Sequence, residues 1–531
     1  MSRAALAHRL WVASSRRSHR RFVRTLDDPA PAQRALLAGY LRSGADTLYG
    51  RRHGFAGIDS YEAFRERVPV VGWDDLAPWI ERVRRGEPRV LTAEPVVRLV
   101  PTSGSTAARK LVPYTRTLLA EMQRPLGAWI VDLARRHPRA FTGRAYWSIS
   151  PALPASQEDS AVPVGFDDDA AYLGRLGRRL AAATLAVPPT VRHVHEPDAF
   201  SRQTLLHLLA ARDLTLVSVW HPSFFTLLLD ALPGLWDGLL ADVERRDRRR
   251  ARELAGADPE EPSTVWSRLA LVSAWGDGPA ALPHHQLARR LPGIALQRKG
   301  LLATEAFITV PVAGARPVAV TSHFFELVDE DGIPRQLHQA EPGGEYQVLA
   351  TTGGGLTRYR LGDRVRVDGF VGRTPSLTFL GRADRVSDRV GEKLSEGFVA
   401  GVVDRVLADG PATLFALLAP EEEPGRPPAY VLFVERAGPA SCVRGLAGAL
   451  EAGLSANPGY RWARALGQLG PARVVAVVDG HAAYLEHHRR AGLRLGDVKP
   501  AVLSPETGWC RRFRLHPLDN PRDVDNNTQQ S

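Results

Sequence analysis

The sequence contains very little cysteine and methionine, with two residues of each among 531. The cysteines, Cys442 and Cys510, are too few for a disulfide framework or for a zinc site built from thiolates. This scarcity is typical of a reducing compartment, and we expect a cytoplasmic protein. No uninterrupted apolar run approaches the roughly 18 residues of a bilayer-crossing helix, so we also expect no membrane partner.

Concentrated charge of one sign is also missing, although the formal net charge is +11. The arginines are scattered and usually have acids nearby. The densest run, residues 244–253, mixes both signs and predicts a solvated helix face. The sequence shows neither zinc-finger spacing nor an aromatic RNA-binding strand. We therefore predict no nucleic-acid partner, and the excess charge suits a small polyanion equally well.

Lysine is rare, since it accounts for only four of the 69 basic residues: Lys110, Lys299, Lys393 and Lys499. The bias towards arginine, with abundant alanine, glycine and proline, resembles the composition of a bacterial protein. Under such a bias, lysine is expected to remain where a compact, flexible ammonium group is required. Three of the four lysines fall within the motifs described below, and Lys299 does not.

The first 25 residues contain seven arginines and no acidic residue. Within the same segment, the apolar residues Leu6, Leu10, Trp11 and Val12 form a stripe that predicts an amphipathic helix. We therefore interpret this segment as part of the folded protein and not as a transit peptide.

Hydrophobic residues make up 44% of the chain and charged residues 24%, as in a soluble globular protein. Strand-like runs such as 214–220 and 269–275 alternate with helical patterns, which predicts an α/β fold with substantial parallel sheet. From residue 321 the pattern changes to short strands and glycine-rich turns. We predict a large N-terminal domain, 1–380, with mixed and parallel sheets, and a smaller α+β C-terminal domain, 381–531.

The strongest local motif is residues 101–110, which read Pro-Thr-Ser-Gly-Ser-Thr-Ala-Ala-Arg-Lys. Ser103, Gly104, Ser105 and Thr106 are small enough for backbone N–H groups and hydroxyls to approach a polyphosphate, and Lys110 adds a positive charge. The spacing does not match a Walker A loop. Taken alone, such a segment is more often an ordinary turn than a phosphate site.

Together with Pro113, Tyr114 and Thr115, this segment resembles the phosphate-binding motif of the adenylate-forming enzymes, and more narrowly that of the GH3 family of acyl acid–amido synthetases. Further segments similar to motifs of that family follow in the expected order, at residues 303–306, 359–363, 381–384 with 391–396, and 496–500. The resemblance extends over residues 10–515. Several ordered motifs in one chain are far more specific than any one of them.

The resemblance implies an ATP-dependent ligase with Mg²⁺ as cofactor. The enzyme would adenylate a small carboxylic acid and then transfer the acyl group to an amine, expected to be that of an amino acid. Acid and ATP are both anionic, so cations must lie where the carboxylate meets the α-phosphate. Glu305 would bind Mg²⁺, Asp363 the ribose hydroxyls, and Lys499 would be the catalytic lysine of a mobile C-terminal domain. The nucleotide site implied in this way comprises Ser103, Gly104, Ser105, Thr106, Lys110, Thr304, Glu305, Tyr359, Asp363 and Arg382.

Four other residues, Ser148, Trp220, Ser223 and Phe224, lie in segments that resemble the lining of the family's acid site. Their aromatic side chains suit a planar or hydrophobic acid. The same residues are equally consistent with ordinary core packing, so the identity of the acid stays open.

The chain departs from the family pattern after Lys499, because Pro500 is followed by Ala501 where the family commonly has arginine. Two alternative functions therefore remain. The first is an acid–CoA ligase with the same adenylation step and a thiol acceptor. The second is a protein of the same fold that binds an acid or a nucleotide without turnover.

Overall fold

The computed structural model describes residues 2–102, 110–147, 160–165, 174–194, 196–383, 386–423, 425–443, 445–490 and 500–515. The chain divides into two compact units. The first comprises residues 1–275 and 290–379, and the second comprises residues 276–289 and 380–531. The segment 276–289 therefore groups with the second unit, whereas the sequence-based division assigned it to the N-terminal domain. The division of substrates and catalytic lysine between the two parts stays a prediction.

The helices of the first unit are α1 (Arg3–Leu26), α2 (Ala30–Gly44), α3 (Leu48–Arg52), α4 (Tyr61–Arg67), α5 (Trp73–Arg84), α6 (Arg116–Arg136), α7 (Gly174–Thr184), α8 (Pro197–Ala210), α9 (Pro222–Arg246), α10 (Arg248–Leu254) and α11 (Pro262–Val265). Several begin at polar caps: the side chains of Ser2 and Thr115, for example, accept hydrogen bonds from backbone amides of α1 and α6. These caps satisfy donors that the first turn of a helix otherwise leaves unpaired.

The strands of the first unit are β1 (Arg98–Pro101), β2 (Leu111–Tyr114), β3 (Arg144–Trp147), β4 (Leu214–Ser218), β5 (Leu271–Ala274), β6 (Ala295–Arg298), β7 (Phe324–Val328), β8 (Pro334–Gln336), β9 (Glu345–Thr351), β10 (Tyr359–Val371) and β11 (Thr374–Arg382). Strands β3 to β6 form a parallel sheet in that order, and its two central strands, β4 and β5, are fully buried. A second sheet has the order β11-β10-β9-β7-β8, and β1 and β2 form a separate antiparallel pair.

The second unit contains α12 (Ala281–Arg290), α13 (Glu396–Val406), α14 (Leu446–Leu454), α15 (Pro458–Ala465), α16 (Gly480–Arg490), β12 (Val386–Ser387), β13 (Leu394–Ser395), β14 (Thr413–Glu421), β15 (Ala429–Arg436), β16 (Arg473–Val478) and β17 (Arg514–Leu515). Its main sheet has the order β14-β15-β16-β17. Along β15, Leu432 and Val434 belong to one hydrophobic cluster, and Val431 and Phe433 belong to another. Both faces of this sheet are therefore covered, as the period-two alternation of side chains requires.

The N-terminal helix forms as predicted, but only Trp11 and Val12 of the predicted apolar stripe pack against the core. Leu6 and Leu10 are about half exposed, whereas Trp11 and the small residues Ala4 and Ser15 are buried. Helix α1 packs against α6 at a point where Gly127 lies close to Ser15. Small side chains allow the two backbones to approach closely, so this helix buries its small residues and leaves two leucines in solvent.

Helix α9 is long and apolar enough to cross a membrane by length and composition, although the sequence has no uninterrupted apolar run of that length. Core helices of soluble proteins share this length and composition. Here Phe225, Leu228, Leu232 and Leu239 are buried within the first unit, where α9 packs against α8 and α10.

Candidate active site

The predicted phosphate loop connects two paired strands. Strands β1 and β2 pair antiparallel from Arg98 opposite Tyr114 to Pro101 opposite Leu111. Beyond the last pair, the Thr102 amide donates to the Lys110 carbonyl at 2.8 Å. Lys110 and Thr102 are therefore adjacent at the ends of the predicted loop. Ser103, Gly104, Ser105 and Thr106 lie outside the described residues.

Thr304 and Glu305 occupy a tight turn. Leu302 and Phe307 form an antiparallel bridge, and the Ala303 amide donates to the Ala306 carbonyl at 3.0 Å, which closes the turn between them. The hydroxyl of the buried Tyr114 donates to the Thr304 carbonyl at 2.6 Å. This hydrogen bond ties the turn to β2, so the hairpin that carries Lys110 and the turn that carries Glu305 are neighbours.

The half-buried Glu305 supplies one carboxylate at this turn. Within the described ranges, no group of three or more His, Cys, Asp or Glu side chains could hold a metal ion by itself. A single carboxylate suits Mg²⁺, because this ion is commonly held by one or two carboxylates together with substrate phosphates. The donor set therefore fits a Mg²⁺ ion that arrives with a nucleotide.

Asp363 lies in a bulge of strand β10. The strand pairs Arg360 with Leu349 and Arg364 with Gln347, so Leu361, Gly362 and Asp363 lie opposite the single residue Val348. Gly362 has a φ of +80°, a conformation that glycine adopts without the steric cost of a side chain. Bulges of this kind change the direction of side chains at functional sites. The Asp363 side chain is 5% exposed.

The connection from β9 to β10 packs against the start of α6. The Thr115 hydroxyl donates to the Gly353 carbonyl at 2.8 Å, and a Cβ atom on Gly354 would lie only 2.5 Å from the Pro113 carbonyl oxygen. Such an approach requires glycine. The three consecutive glycines at 353–355 therefore place the β9–β10 connection directly against β2, the strand that follows the predicted phosphate loop.

Sequence reasoning missed a buried carboxylate that holds this connection. Glu121 on α6 accepts hydrogen bonds from the Gly353 amide at 2.9 Å and from the Tyr40 hydroxyl at 2.8 Å. The imidazole Nδ1 of His323 lies 3.2 Å from the same carboxylate. Burial, together with this carboxylate, raises the pKa of the Tyr40 hydroxyl well above its ordinary value. No local motif marks Glu121, because its partners are distant in sequence.

A buried ion pair lies at the start of β10. The Arg358 guanidinium donates two hydrogen bonds to the Glu326 carboxylate, at 2.9 and 2.8 Å, and two more to the carbonyls of Arg65 and Val68. Both charged side chains are at most 2% exposed. The Tyr61 hydroxyl donates to the same carboxylate at 2.9 Å. This pair fixes the residue directly before Tyr359, the first residue of the 359–363 motif.

The carboxyl ends of the parallel strands carry an aromatic cluster. Trp147 ends β3, Trp220 follows β4, and Trp275 follows β5. The rings of Trp220 and Trp275 are 5.6 Å apart, and Trp129 of α6 meets Trp147 edge-on at 6.0 Å. Ligands of α/β proteins bind at this end of the strands. The cluster includes the predicted acid-site residue Trp220.

The other predicted acid-site residues have distinct environments. Ser223 lies in the first turn of α9, and its hydroxyl is 2.6 Å from Nδ1 of His221, whose side chain caps the helix. Phe224 stacks on Tyr146 with ring centroids 6.5 Å apart. Ser148 lies outside the described residues. The roles of these residues in binding stay predictions.

Lys299 is the one lysine that no motif included. It follows β6, and its ammonium group lies 5.0 Å from the ring centroid of Trp129 and 5.2 Å from that of Trp220. Burial lowers the pKa of Lys299 to about 7. The scarcity of lysine in the sequence was the signal that could have identified it.

The second unit contains the remaining predicted residues. Arg382 ends β11, whereas Lys499 and Asp384 lie outside the described residues. Ala501 is only 6% exposed, in the hydrophobic cluster that contains Trp509. Alanine at position 501 therefore packs among apolar side chains.

Comparison with known protein families gives three matches in chain order. The GH3 family N-terminal domain matches residues 18–253, the GH3 family central domain matches 317–382, and the GH3 family C-terminal domain matches 402–507. Together the three matches span most of the chain.

The sequence identity to individual relatives is low. The chain is 27% identical over 458 residues to "Probable indole-3-acetic acid-amido synthetase GH3.12" of Oryza sativa subsp. japonica, covering 72% of this chain and 74% of the relative. It is 22% identical over 464 residues to "Jasmonoyl--L-amino acid synthetase JAR4" of Nicotiana attenuata, covering 78% and 80%.

The fold is shared with a solved structure. "AtGH3.15 acyl acid amido synthetase in complex with 2,4-DB" superposes with a TM-score of 0.80 at 17% identity, covering 93% of this chain and 96% of that one. This likeness confirms the predicted α/β adenylate-forming fold.

Proposed function

Because this chain belongs to the GH3 family, we propose that it is an ATP-dependent acyl acid–amido synthetase. The hydrogen bond between Tyr114 and Thr304 carries this proposal, since it makes the Lys110 hairpin and the Glu305 turn neighbours. The printed names of the relatives, which include synthetases of indole-3-acetic acid and jasmonoyl amides, support the same reaction class.

In the first step, the carboxylate of the acid attacks the α-phosphate of ATP. A carboxylate oxygen–phosphorus bond forms, and the bond to the leaving pyrophosphate breaks, which yields acyl-AMP. Lys110 and residues 103–106 bind the phosphates, and Asp363 accepts hydrogen bonds from the ribose hydroxyls. We assign to Lys499 the role of bringing the carboxylate and the α-phosphate together, because two anions must approach each other in this step.

Glu305 is the residue that would hold Mg²⁺ with the nucleotide phosphates. When bound, the ion offsets negative charge on the pyrophosphate. Thr304 shares the turn with Glu305 and would lie beside the nucleotide. Tyr359 would line the same site, and Arg382 would belong to the hinge that precedes the C-terminal domain.

In the second step, the nitrogen lone pair of an amine attacks the acyl carbon of acyl-AMP. The carbon–nitrogen bond forms, the carbon–oxygen bond to AMP breaks, and the amine loses a proton. We propose an amino acid as the amine, in line with the printed name of the jasmonoyl relative.

The composition further supports a bacterial protein of a reducing compartment, which we place in the cytoplasm.

Product analysis tests the proposal. The protein is incubated with ATP, Mg²⁺ and a panel of aryl, indolyl and alkyl acids, with either mixed amino acids or CoA as acceptor. We expect an amide and one equivalent of AMP per amide, detected by mass spectrometry. A thioester formed only with CoA would instead identify an acid–CoA ligase. ATP binding without pyrophosphate release for any acid would identify a binding protein.

A further inference from the structure

Lys299 lies at the edge of the parallel sheet where the carboxyl ends of its strands meet. Its amide donates to the Ala274 carbonyl at 2.8 Å, which continues the pairing of β6 with β5 beyond the last registered pair. Its side chain reaches back across the sheet to β4, where Nζ donates to the Ser218 hydroxyl at 2.6 Å. The ammonium group is thus held at the carboxyl edge of the sheet, six residues before Glu305.

The surroundings of this ammonium group are aromatic. Trp129 and Trp220 each present a ring to Nζ at about 5 Å, and the attraction of these rings for the ammonium form opposes the effect of burial, which lowers the pKa of Lys299. Among the described residues, no carboxylate lies within ion-pair distance of Nζ. An ammonium group has three hydrogen-bond donors, and Ser218 accepts one of them.

Two further donors in the same aromatic cluster have no hydrogen-bond acceptor in the part of the chain that the structure describes. The indole N–H groups of Trp129 and Trp147 are buried and have no acceptor among the described residues. Buried polar groups without partners are costly in a folded protein and often mark a place where a ligand or water completes the bonding. A cluster that contains a cation and two N–H donors is suited to an acceptor that carries negative charge.

We propose that Lys299 binds an anionic group of the acid substrate and so selects acids over their neutral analogues. This inference rests on the proposed function, because it assigns the acid to the aromatic cluster. The anionic group is a carboxylate, which is either the reacting carboxylate or a second one on the same acid.

The test compares Lys299→Met with the parent enzyme and with Lys299→Arg. Methionine keeps the length and apolar character of the side chain but removes its charge, and arginine restores the charge. Arg268→Met is the matched control, since it removes one positive charge from an exposed position in the same unit. Thermal unfolding of each variant verifies that it is folded.

Binding is measured by quenching of tryptophan fluorescence with benzoate, with the neutral benzamide and with the dicarboxylate isophthalate. Steady-state pyrophosphate exchange gives KM for acid and for ATP separately. For Lys299→Met we expect at least a tenfold rise in Kd and KM for the carboxylates, with KM for ATP and binding of benzamide unchanged. Lys299→Arg should recover part of the loss, and Arg268→Met should match the parent.

The two possible sources of the carboxylate give different results. Loss of affinity for benzoate and isophthalate alike assigns Lys299 to the reacting carboxylate, and loss confined to isophthalate assigns it to a second carboxylate. Affinities for benzoate and for isophthalate that both stay within threefold of the parent in Lys299→Met would overturn the inference, even if the parent enzyme is active. Absence of exchange with every acid in the parent would instead count against the proposed function.

Discussion

Replacing Arg358 by methionine should destabilise the first unit severely. The guanidinium makes four hydrogen bonds, two of them to Glu326, and both side chains are almost fully buried. The variant leaves the Glu326 carboxylate with the Tyr61 hydroxyl and without its cation. Removing one partner of a buried ion pair costs about 3–5 kcal/mol. A protein whose total stability is about 5–15 kcal/mol would lose a large part of it.

A double-mutant cycle separates this ion pair from general packing. Replacing both partners, in Arg358→Met/Glu326→Leu, removes the orphaned charge, so the double variant should lose less stability than the sum of the single variants by more than about 1 kcal/mol. The exposed pair between Arg489 and Glu486 provides the control. Arg489→Met should change stability by less than about 1 kcal/mol, as is usual for surface pairs.

The assay is urea unfolding, with hydrogen exchange of amides in β9 and β10 to assign the transition to the first unit. A decrease of less than about 1 kcal/mol in the unfolding free energy of Arg358→Met would refute the reasoning, because a buried carboxylate without its cation destabilises the fold by more than that. If the stability losses of the two single variants added up to the loss of the double variant, the two side chains would not stabilise each other.

Three further predictions concern acid stability, the glycine connection and the nucleotide. Burial lowers the pKa of His8 to about 4, so its contribution to stability is complete above pH 6.5 and is lost as the pH falls towards 4. By linkage this amounts to about 3 kcal/mol, and His8→Gln should show a smaller loss of urea stability between pH 7.5 and 4.5. If the unfolding free energy of His8→Gln depended on pH as steeply as that of the parent, this prediction would be contradicted. Gly354→Ala should lower the unfolding free energy measured in urea by about 1–3 kcal/mol, because the added Cβ would collide with the Pro113 carbonyl. Gly256→Ala is the control: a Cβ there would lie in open space, so the midpoint of urea unfolding should not change. Asp363→Asn should raise KM for ATP about tenfold with KM for the acid unchanged in pyrophosphate exchange, because the amide retains only one of the two carboxylate oxygens proposed to accept hydrogen bonds from the ribose. An unchanged KM for ATP would remove Asp363 from the site.

The sequence alone allowed the layout of the fold to be predicted. Strand-like runs at 214–220 and 269–275 correspond to β4 and β5 of the parallel sheet, because fully buried strands are continuous apolar runs. The buried face of α1 was predicted only in part, because Trp11 is buried but Leu6 and Leu10 are about half exposed. Close packing against α6 favours small side chains over the leucines that a hydrophobicity pattern selects.

The candidate site was predictable where a local segment resembles a family motif. Asp363 is an example, because it was predicted from the resemblance of residues 359–363 and not from the bulge that forms at Gly362. Glu121, Arg358 and Lys299 were missed, since their partners are 32 or more residues away in the chain. Contacts of that range depend on tertiary packing, which local spacing does not record.

Carboxylate-dependent ATP–pyrophosphate exchange tests the central claim most directly. The parent enzyme is assayed over aryl, indolyl and alkyl acids beside Lys499→Ala, with the exposed Arg489→Ala as control for loss of a positive charge. We predict exchange with at least one acid, its loss in Lys499→Ala and its retention in Arg489→Ala. Exchange at the parent rate in Lys499→Ala would contradict the assignment of the catalytic lysine. No exchange with any acid, while ATP still binds, would contradict the proposed function itself.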